Sequence, residues 1–217
     1  MRSSRLWLAR KSGSSKRWLR RQETDPVRRQ AVSEAYISRS AIKLLEIDQA
    51  SRLLRPSHAV LDLGAAPGGW TQVALRKPVH RVVSVDLLDH SLPKTLPGLH
   101  WIRGDFTDEA TVRAIQDELA AVNRQYFDTV LCDAAPSYTG QQSLDHLRLI
   151  ALAEEAASLA HRLVSPTKGA FLVKVSRGGE EIRFREAMRK LFGRAEFVKP
   201  KASRQESTEI YLLASMP

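Results

Sequence analysis

The sequence predicts an α/β fold: a mostly parallel seven-stranded sheet with one antiparallel strand and helices on both faces. Three observations carry this. From Ala59 onward, short apolar runs alternate with helical stretches, the pattern of strand–helix–strand units. The last two apolar runs are joined only by residues 200–208, too short for a crossover helix, which favours an antiparallel pairing at the end of the sheet. With 217 residues and 43% hydrophobic content, the chain is long enough for one well-cored domain plus an extension.

In order, residues 33–54 read as a helix with Tyr36, Ile42, Leu44, Leu45 and Ile47 at helical spacing, ended by Pro56. Strands are expected over 59–63, 81–85, 99–102, 129–132, 170–175, 196–199 and 210–214. Helices are expected over 70–75, 109–121, 144–164 and 180–192. In such a sheet, ligands lie at the carboxyl ends of the strands, near the switch in strand order.

Net charge is +10, which points to a polyanionic partner. Residues 1–30 hold ten cations against Glu23 and Asp25, so +8 of the excess lies in this arm and the domain over 31–217 is close to neutral. The arm's first 22 residues contain no acid and carry Leu6, Trp7 and Leu8, as a transit peptide would. An RNA-contacting arm, with cations on phosphates and Trp7 or Trp18 stacking, reads equally well. A solvated tail is the bland alternative. No apolar run reaches the roughly 18–20 residues of a membrane helix, so no membrane partner is expected. Cys132 is the one cysteine and has no disulfide partner within the chain.

The run Val60-Leu-Asp-Leu-Gly-Ala-Ala-Pro-Gly-Gly-Trp70 is a strand entering a glycine-rich turn and then a helix. Gly64, Gly68 and Gly69 allow close backbone approach. Ala66 breaks the dinucleotide pattern, and no Gly-Lys-Ser/Thr follows for a phosphate chain. A ligand without phosphates, such as an adenosyl sulfonium, suits this turn. Asp86 ends the next strand, where an acid accepts from ribose hydroxyls. Asp105 ends the one after, where it could meet an adenine amino group. Either acid alone is as readily a turn or helix-cap residue. His58, His80, His90, His100, His146 and His161 show no metal-ligand spacing, so no metal is expected. A serine-hydrolase elbow is also missing.

Five motifs together resemble a known family. They are Ser38-Arg-Ser-Ala-Ile-Lys-Leu-Leu-Glu46, Leu61-Asp-Leu-Gly-Ala-Ala-Pro-Gly-Gly-Trp70, Cys132-Asp-Ala-Ala-Pro136, Phe171-Leu-Val-Lys-Val175 and Ser207-Thr-Glu-Ile-Tyr211. The chain resembles, from about Ser15 to its end, the FtsJ/RrmJ-type ribosomal RNA 2′-O-methyltransferases, more closely their mitochondrial members. The resemblance implies a Rossmann-like methyltransferase fold with S-adenosyl-L-methionine as cofactor. It implies a catalytic tetrad of Lys43, Asp133, Lys174 and Glu209, and cofactor contacts at Gly64, Pro67, Gly68, Gly69, Trp70, Asp86, Asp105 and Asp133. Two departures stand out. Ser137 replaces the family's usual Asn, and Ser176-Arg-Gly-Gly179 differs from the bacterial loop after the lysine.

The implied residue types make chemical sense. A ribose hydroxyl is a poor nucleophile while protonated, and a lysine serves as base only if it is neutral at the working pH. Lys174 ends an apolar strand, which favours desolvation; a second ammonium from Lys43 would lower its pKa further, opposed by Asp133 and Glu209. Near-attack alignment adds to the rate. Taken singly, Lys174 also reads as a snorkelling strand-end lysine and Glu209 as an exposed edge acid.

The basic arm and the 199–204 loop point to RNA held through its phosphates. The resemblance implies a uridine of large-subunit ribosomal RNA, in or near the peptidyl-transferase centre, as the target. The implied partner is the pre-ribosomal large subunit, met by an enzyme that is monomeric. The mitochondrion is the expected compartment, with the bacterial cytoplasm as alternative. The competing functional reading is an assembly factor that acts by binding ribosomal RNA, with methylation dispensable. A nucleotide-dependent oxidoreductase on a similar sheet is a weaker third.

Overall fold

A computed structural model describes residues 25–93 and 95–217 of the chain. Most of the expected basic arm falls on residues 1–24, outside the described residues. Strands β1 (Ala59–Leu63), β2 (Arg81–Asp86), β3 (Leu99–Arg103), β4 (Thr129–Cys132), β5 (Ala170–Ser176), β6 (Arg194–Val198) and β7 (Glu209–Ser215) form one sheet in the order β3-β2-β1-β4-β5-β7-β6. Pairings β1–β2, β2–β3, β1–β4 and β4–β5 are parallel, and β7 is antiparallel to both β5 and β6. The antiparallel strand is therefore one place in from the edge rather than at it. The 199–208 connection folds β7 back into the gap between β5 and β6. Ile210, Tyr211, Leu212 and Ala214 are buried, as an inner strand requires.

The order reverses at β1, which is flanked by β2 and β4, so the loops after β1 and β4 open on a crevice at the carboxyl end of the sheet. The described residues form six helices: α1 (Pro26–Ser33), α2 (Ser40–Ser51), α3 (Gly69–Leu75), α4 (Glu109–Ala121), α5 (Gln142–Leu163) and α6 (Glu180–Phe192). One face of the sheet (Leu61, Val83, Val130, Phe171, Val173, Leu212) packs under α5 and α6, with Ile150, Ala157, Phe184 and Phe192. The opposite face (Val60, Val82, Leu131, Leu172, Tyr211) packs under α2 and α3 through Leu44, Ile47, Trp70 and Val73. Each buried aliphatic or Phe side chain contributes about 1.5–3 kcal/mol of burial.

The single helix expected over 33–54 is two helices. Ala35 takes a left-handed φ of 56°. The Gln72 side chain then binds this turn, accepting from Ile37 N at 2.9 Å and donating to the Ala35 carbonyl at 2.8 Å. Nor does Pro56 end α2. Arg52 is left-handed (φ 54°, ψ 48°) and donates its N–H back to the Asp48 carbonyl, while the Asp48 carboxylate accepts from Leu54 N at 2.7 Å. Helix α1 straddles residue 30, where the charge pattern alone places the edge of the arm. Asp25 caps it by accepting from Val27 N and Arg28 N, with Pro26 in the first turn.

Candidate active site

The site is built from the carboxyl ends of β1 to β5, the start of β7 and one turn of α2. Apolar residues Ala41, Leu44 and Ile47 press α2 onto the sheet, which leaves Lys43 on the flank facing the strand ends. Strand register does the rest. Lys174 on β5 pairs with Tyr211 on β7, and Ser176 pairs with Glu209, so the period of two places Glu209 and Tyr211 on one face. Asp133 follows the last residue of β4.

These side chains form one chain of contacts. Lys43 is ion-paired with Glu209 through Oε1. The Tyr211 hydroxyl is 3.2 Å from Glu209 Oε1 and 3.1 Å from Asp133 Oδ1. Lys174 Nζ donates to the Asp133 carbonyl at 2.5 Å and is 3.3 Å from its Oδ1. The four residues expected in the tetrad are thus brought together, joined by a fifth. Tyr211 was visible in the sequence only as the end of a motif. Its ring is fully buried against Trp70, with centroids 5.5 Å apart, and Lys43 lies over its face.

The electrostatics depart from expectation at one point. Burial lowers the Lys174 pKa, as its apolar strand implies, but the Asp133 and Glu209 carboxylates more than reverse this, and the net shift is upward. The Lys43 ammonium is neutralised by Glu209 instead of acting on Lys174 as a bare cation. Glu209 shows the complement: burial raises its pKa, and Lys43, then Lys174, bring it below the ordinary glutamate value.

The glycine-rich turn lies beside this cluster. Gly64 has φ 68°, and a Cβ there would stand 2.4 Å from that of Ala134, so only glycine lets the β1 turn touch the loop carrying Asp133. A Cβ on Gly69 would stand 2.1 Å from Ser38 Oγ, so the start of α3 sits directly against the start of α2. The turn also holds Pro67, in a cis peptide, and Gly68, the left-handed N-cap of α3. The Trp70 indole points into the core and donates to the Ser40 carbonyl at 2.9 Å. Asp86 accepts from Ala66 N at 2.9 Å and Leu88 N at 2.8 Å, which fixes its carboxylate beside the glycine-rich turn. Asp105 accepts from Thr107 N and Oγ1 through one oxygen only.

Beneath the turn, Asp62 is fully buried, with Oδ2 accepting from Thr71 Oγ1 at 2.7 Å and Oδ1 without a partner. Burial pushes its carboxyl up to about 7, and the nearby Asp133 and Asp86 charges push the same way. The Asp86 and Asp133 carboxylates near a turn that contains no Lys or Arg favour a cation there over a phosphate chain. The exposed Leu87 and Leu88 supply apolar surface beside Asp86. Carboxylates for hydroxyl and amino donors, apolar surface and a cation-favouring field fit an adenosyl sulfonium. Among the described residues no group of His, Cys, Asp and Glu could hold a metal ion.

On the other side of Lys174 a cleft of about 660 Å³ opens between Tyr138, His146, Arg177 and Glu209. His146 accepts from Glu180 N at Nε2, 3.3 Å, which leaves Nδ1–H to donate to Ser176 Oγ at 2.9 Å. These two contacts tie α5 to the loop after Lys174. No sequence signal marked His146, since its partners are distant in the chain.

Comparison with known proteins agrees with the fold and the motifs. The FtsJ-like methyltransferase family matches residues 36–216. A ribosomal RNA large subunit methyltransferase E from Acidiphilium cryptum is 41% identical over 97% of this chain and 91% of its own length. One from Azoarcus is 40% identical over 94% of this chain and 97% of its own. A solved structure described as a ribosomal RNA methyltransferase of Plasmodium falciparum superposes with a TM-score of 0.71 at 24% identity, covering 83% of this chain and 98% of that one, a likeness of fold. The chain belongs to the FtsJ-like methyltransferase family, whose methyl donor is S-adenosyl-L-methionine.

Proposed function

We propose that this protein methylates a ribose 2′-hydroxyl of large-subunit ribosomal RNA, with Lys43, Asp133, Lys174 and Glu209 as the catalytic residues. The observation that carries the reading is the unbroken contact chain from Lys43 through Glu209, Tyr211 and Asp133 to Lys174, set between the glycine-rich turn and an open cleft. The relatives' names supply the RNA.

When bound, the donor supplies a methyl group already activated by a positively charged sulfur. Gly64, Pro67, Gly68, Gly69 and the Trp70 backbone would hold its amino-acid end, Asp86 its ribose and Asp105 its adenine, with Asp133 next to the reacting centre. The target nucleoside enters the cleft beside Tyr138 and presents its hydroxyl to Lys174. The Lys174 amine, in its neutral form, would take the hydroxyl proton while the oxygen takes the methyl group, the carbon–sulfur bond breaking with its electron pair left on a now neutral sulfur. Asp133 and Glu209 stabilise the ammonium so formed, while Tyr211 and Lys43 hold the two carboxylates in place. Fixing the nucleophile against the methyl is itself worth several kcal/mol of barrier.

Of the two compartments, the bacterial cytoplasm has the support of the relatives, which come from bacteria. The mitochondrial reading rests on the acid-free N-terminal residues and on the resemblance of the 39–45 and 202–211 motifs. Among the described residues no helix is long and apolar enough to cross a membrane. A monomeric enzyme, with residues 1–30 as an RNA-contacting arm on a domain over 31–217, completes the proposal. Lys174→Ala tests it: methyl transfer from labelled donor to large-subunit ribosomal RNA disappears while donor binding persists. Undiminished transfer would refute the assigned mechanism.

A further inference from the structure

A second cleft, of about 770 Å³, opens at the opposite pole of the sheet, beneath the amino ends of β1, β4 and β5 and the start of β6. Its charged lining is Arg52, Arg55, Lys168, Arg189 and Arg194 against Asp128 and Glu196. That leaves +3 in one cleft, whereas all residues after the first thirty together carry only +2. The cleft is therefore a local positive patch on a domain that is nearly neutral as a whole.

The charges are also available. Asp128 is already engaged by Ala59 N at 2.9 Å, Arg124 at 2.8 Å and Lys168 at 3.5 Å. Arg52, Arg55, Arg189 and Arg194 pair with no carboxylate among the described residues, and all four are exposed. Arg55 Nε is held by the Arg52 carbonyl at 3.0 Å and Arg189 Nε by the Ala195 carbonyl at 3.3 Å, so both terminal forks remain open. Such a fork binds a phosphate oxygen pair. The four residues from Ala170 at this cleft to Lys174 span about 13 Å at roughly 3.3 Å each. A nucleotide bound here is not the one being methylated.

We propose that this cleft binds the phosphodiester backbone of a second segment of the RNA substrate, away from the target nucleotide. The inference rests on the RNA reading above. Two such binding points on opposite poles let the enzyme respond to the shape of a folded RNA without reading its bases. An open, arginine-lined cleft suits a strand passing through it, where a mononucleotide would need walls around its base.

The test is the salt dependence of binding to a 20-nucleotide single-stranded RNA by full-length protein. Arg55→Gln with Arg194→Gln lowers the slope of log affinity against log salt by roughly 1.4, about 0.7 for each phosphate no longer neutralised. Arg55→Lys with Arg194→Lys retains it, and donor binding is unchanged in both. Independently, 4-thiouridine-substituted RNA irradiated with the wild-type protein crosslinks to peptides of residues 52–58 or 189–196. This second readout decides the matter if the Gln variant folds poorly. A wild type that methylates RNA but shows neither the crosslink nor a slope change on substitution overturns the proposal alone. A protein that neither binds nor methylates RNA overturns the functional reading as well. Crosslinks abolished by micromolar pyrophosphate would assign the cleft to a small anion instead.

Discussion

Tyr211 stands 3.1 Å from Asp133 Oδ1, with a single hydroxyl proton to offer this carboxylate and that of Glu209 at 3.2 Å. The tyrosine is fully buried, and burial, then the Asp133 and Glu209 charges, raise its pKa well above the usual tyrosine value. It is thus a neutral donor that links the two acids around Lys174.

Tyr211→Phe keeps the ring packed on Trp70 and removes only this link. A hydrogen bond to a charged group is worth about 1.5–3 kcal/mol, so kcat falls roughly 10- to 100-fold, at about 1.4 kcal/mol per factor of ten. Donor affinity changes little, while the melting temperature falls by several degrees because the same bond also stabilises the fold. Single-turnover methyl transfer and a melting curve check both parts.

The raised Lys174 pKa sets the pH dependence. In the proposed role of Lys174 as base only the neutral amine accepts the hydroxyl proton, so below its pKa the rate climbs about tenfold per pH unit, through neutral pH and into the alkaline range. Glu209→Gln removes one of the charges that raise this pKa, and the rising limb moves to lower pH. A pH–rate profile of both proteins, with saturating donor, measures the displacement.

Much of this site was legible in sequence, for a reason of period. Glu209 and Tyr211 are two apart on a strand, and Asp86, Asp105 and Asp133 each follow an apolar run, so position at a strand end is readable without a structure. What was not legible depended on partners distant in the chain. The sign of the Lys174 shift turns on which carboxylates lie nearest, and Lys43 is neutralised by a residue 166 positions away. The break at Ala35 has no Gly or Pro to announce it and is held by Gln72 from another helix. Insertion of β7 between β5 and β6 leaves no trace in loop length. Trp70 reads as a groove residue from its motif, yet its indole belongs to the core.

Asp62 makes stability depend on pH. Its carboxyl holds its proton up to about 7 when folded, whereas an unfolded aspartate loses it near 3.9. Between these values the native state binds the extra proton, so unfolding free energy falls as pH rises, by up to about 1.4 kcal/mol per unit, and levels off above. Asp62→Asn removes this contribution. Denaturant melts from pH 4 to 8 show a flatter profile for the variant and its largest relative gain at pH 8.

Cys132 is buried at the end of β4, and burial pushes its thiol up to about 12. A thiol so protonated and enclosed does not react in the native state. A thiol-specific chromogenic reagent titrates no cysteine in native protein and one per chain in guanidinium.

We propose ribose methylation in large-subunit ribosomal RNA through Lys174. Mapping 2′-O-methyl groups on that RNA from cells lacking the protein, and from the same cells given wild type or Lys174→Ala, tests it most directly. The expected result is one methylated position that vanishes without the protein and returns with wild type but not with the variant. An unchanged methylation map, or restoration by Lys174→Ala, would contradict it.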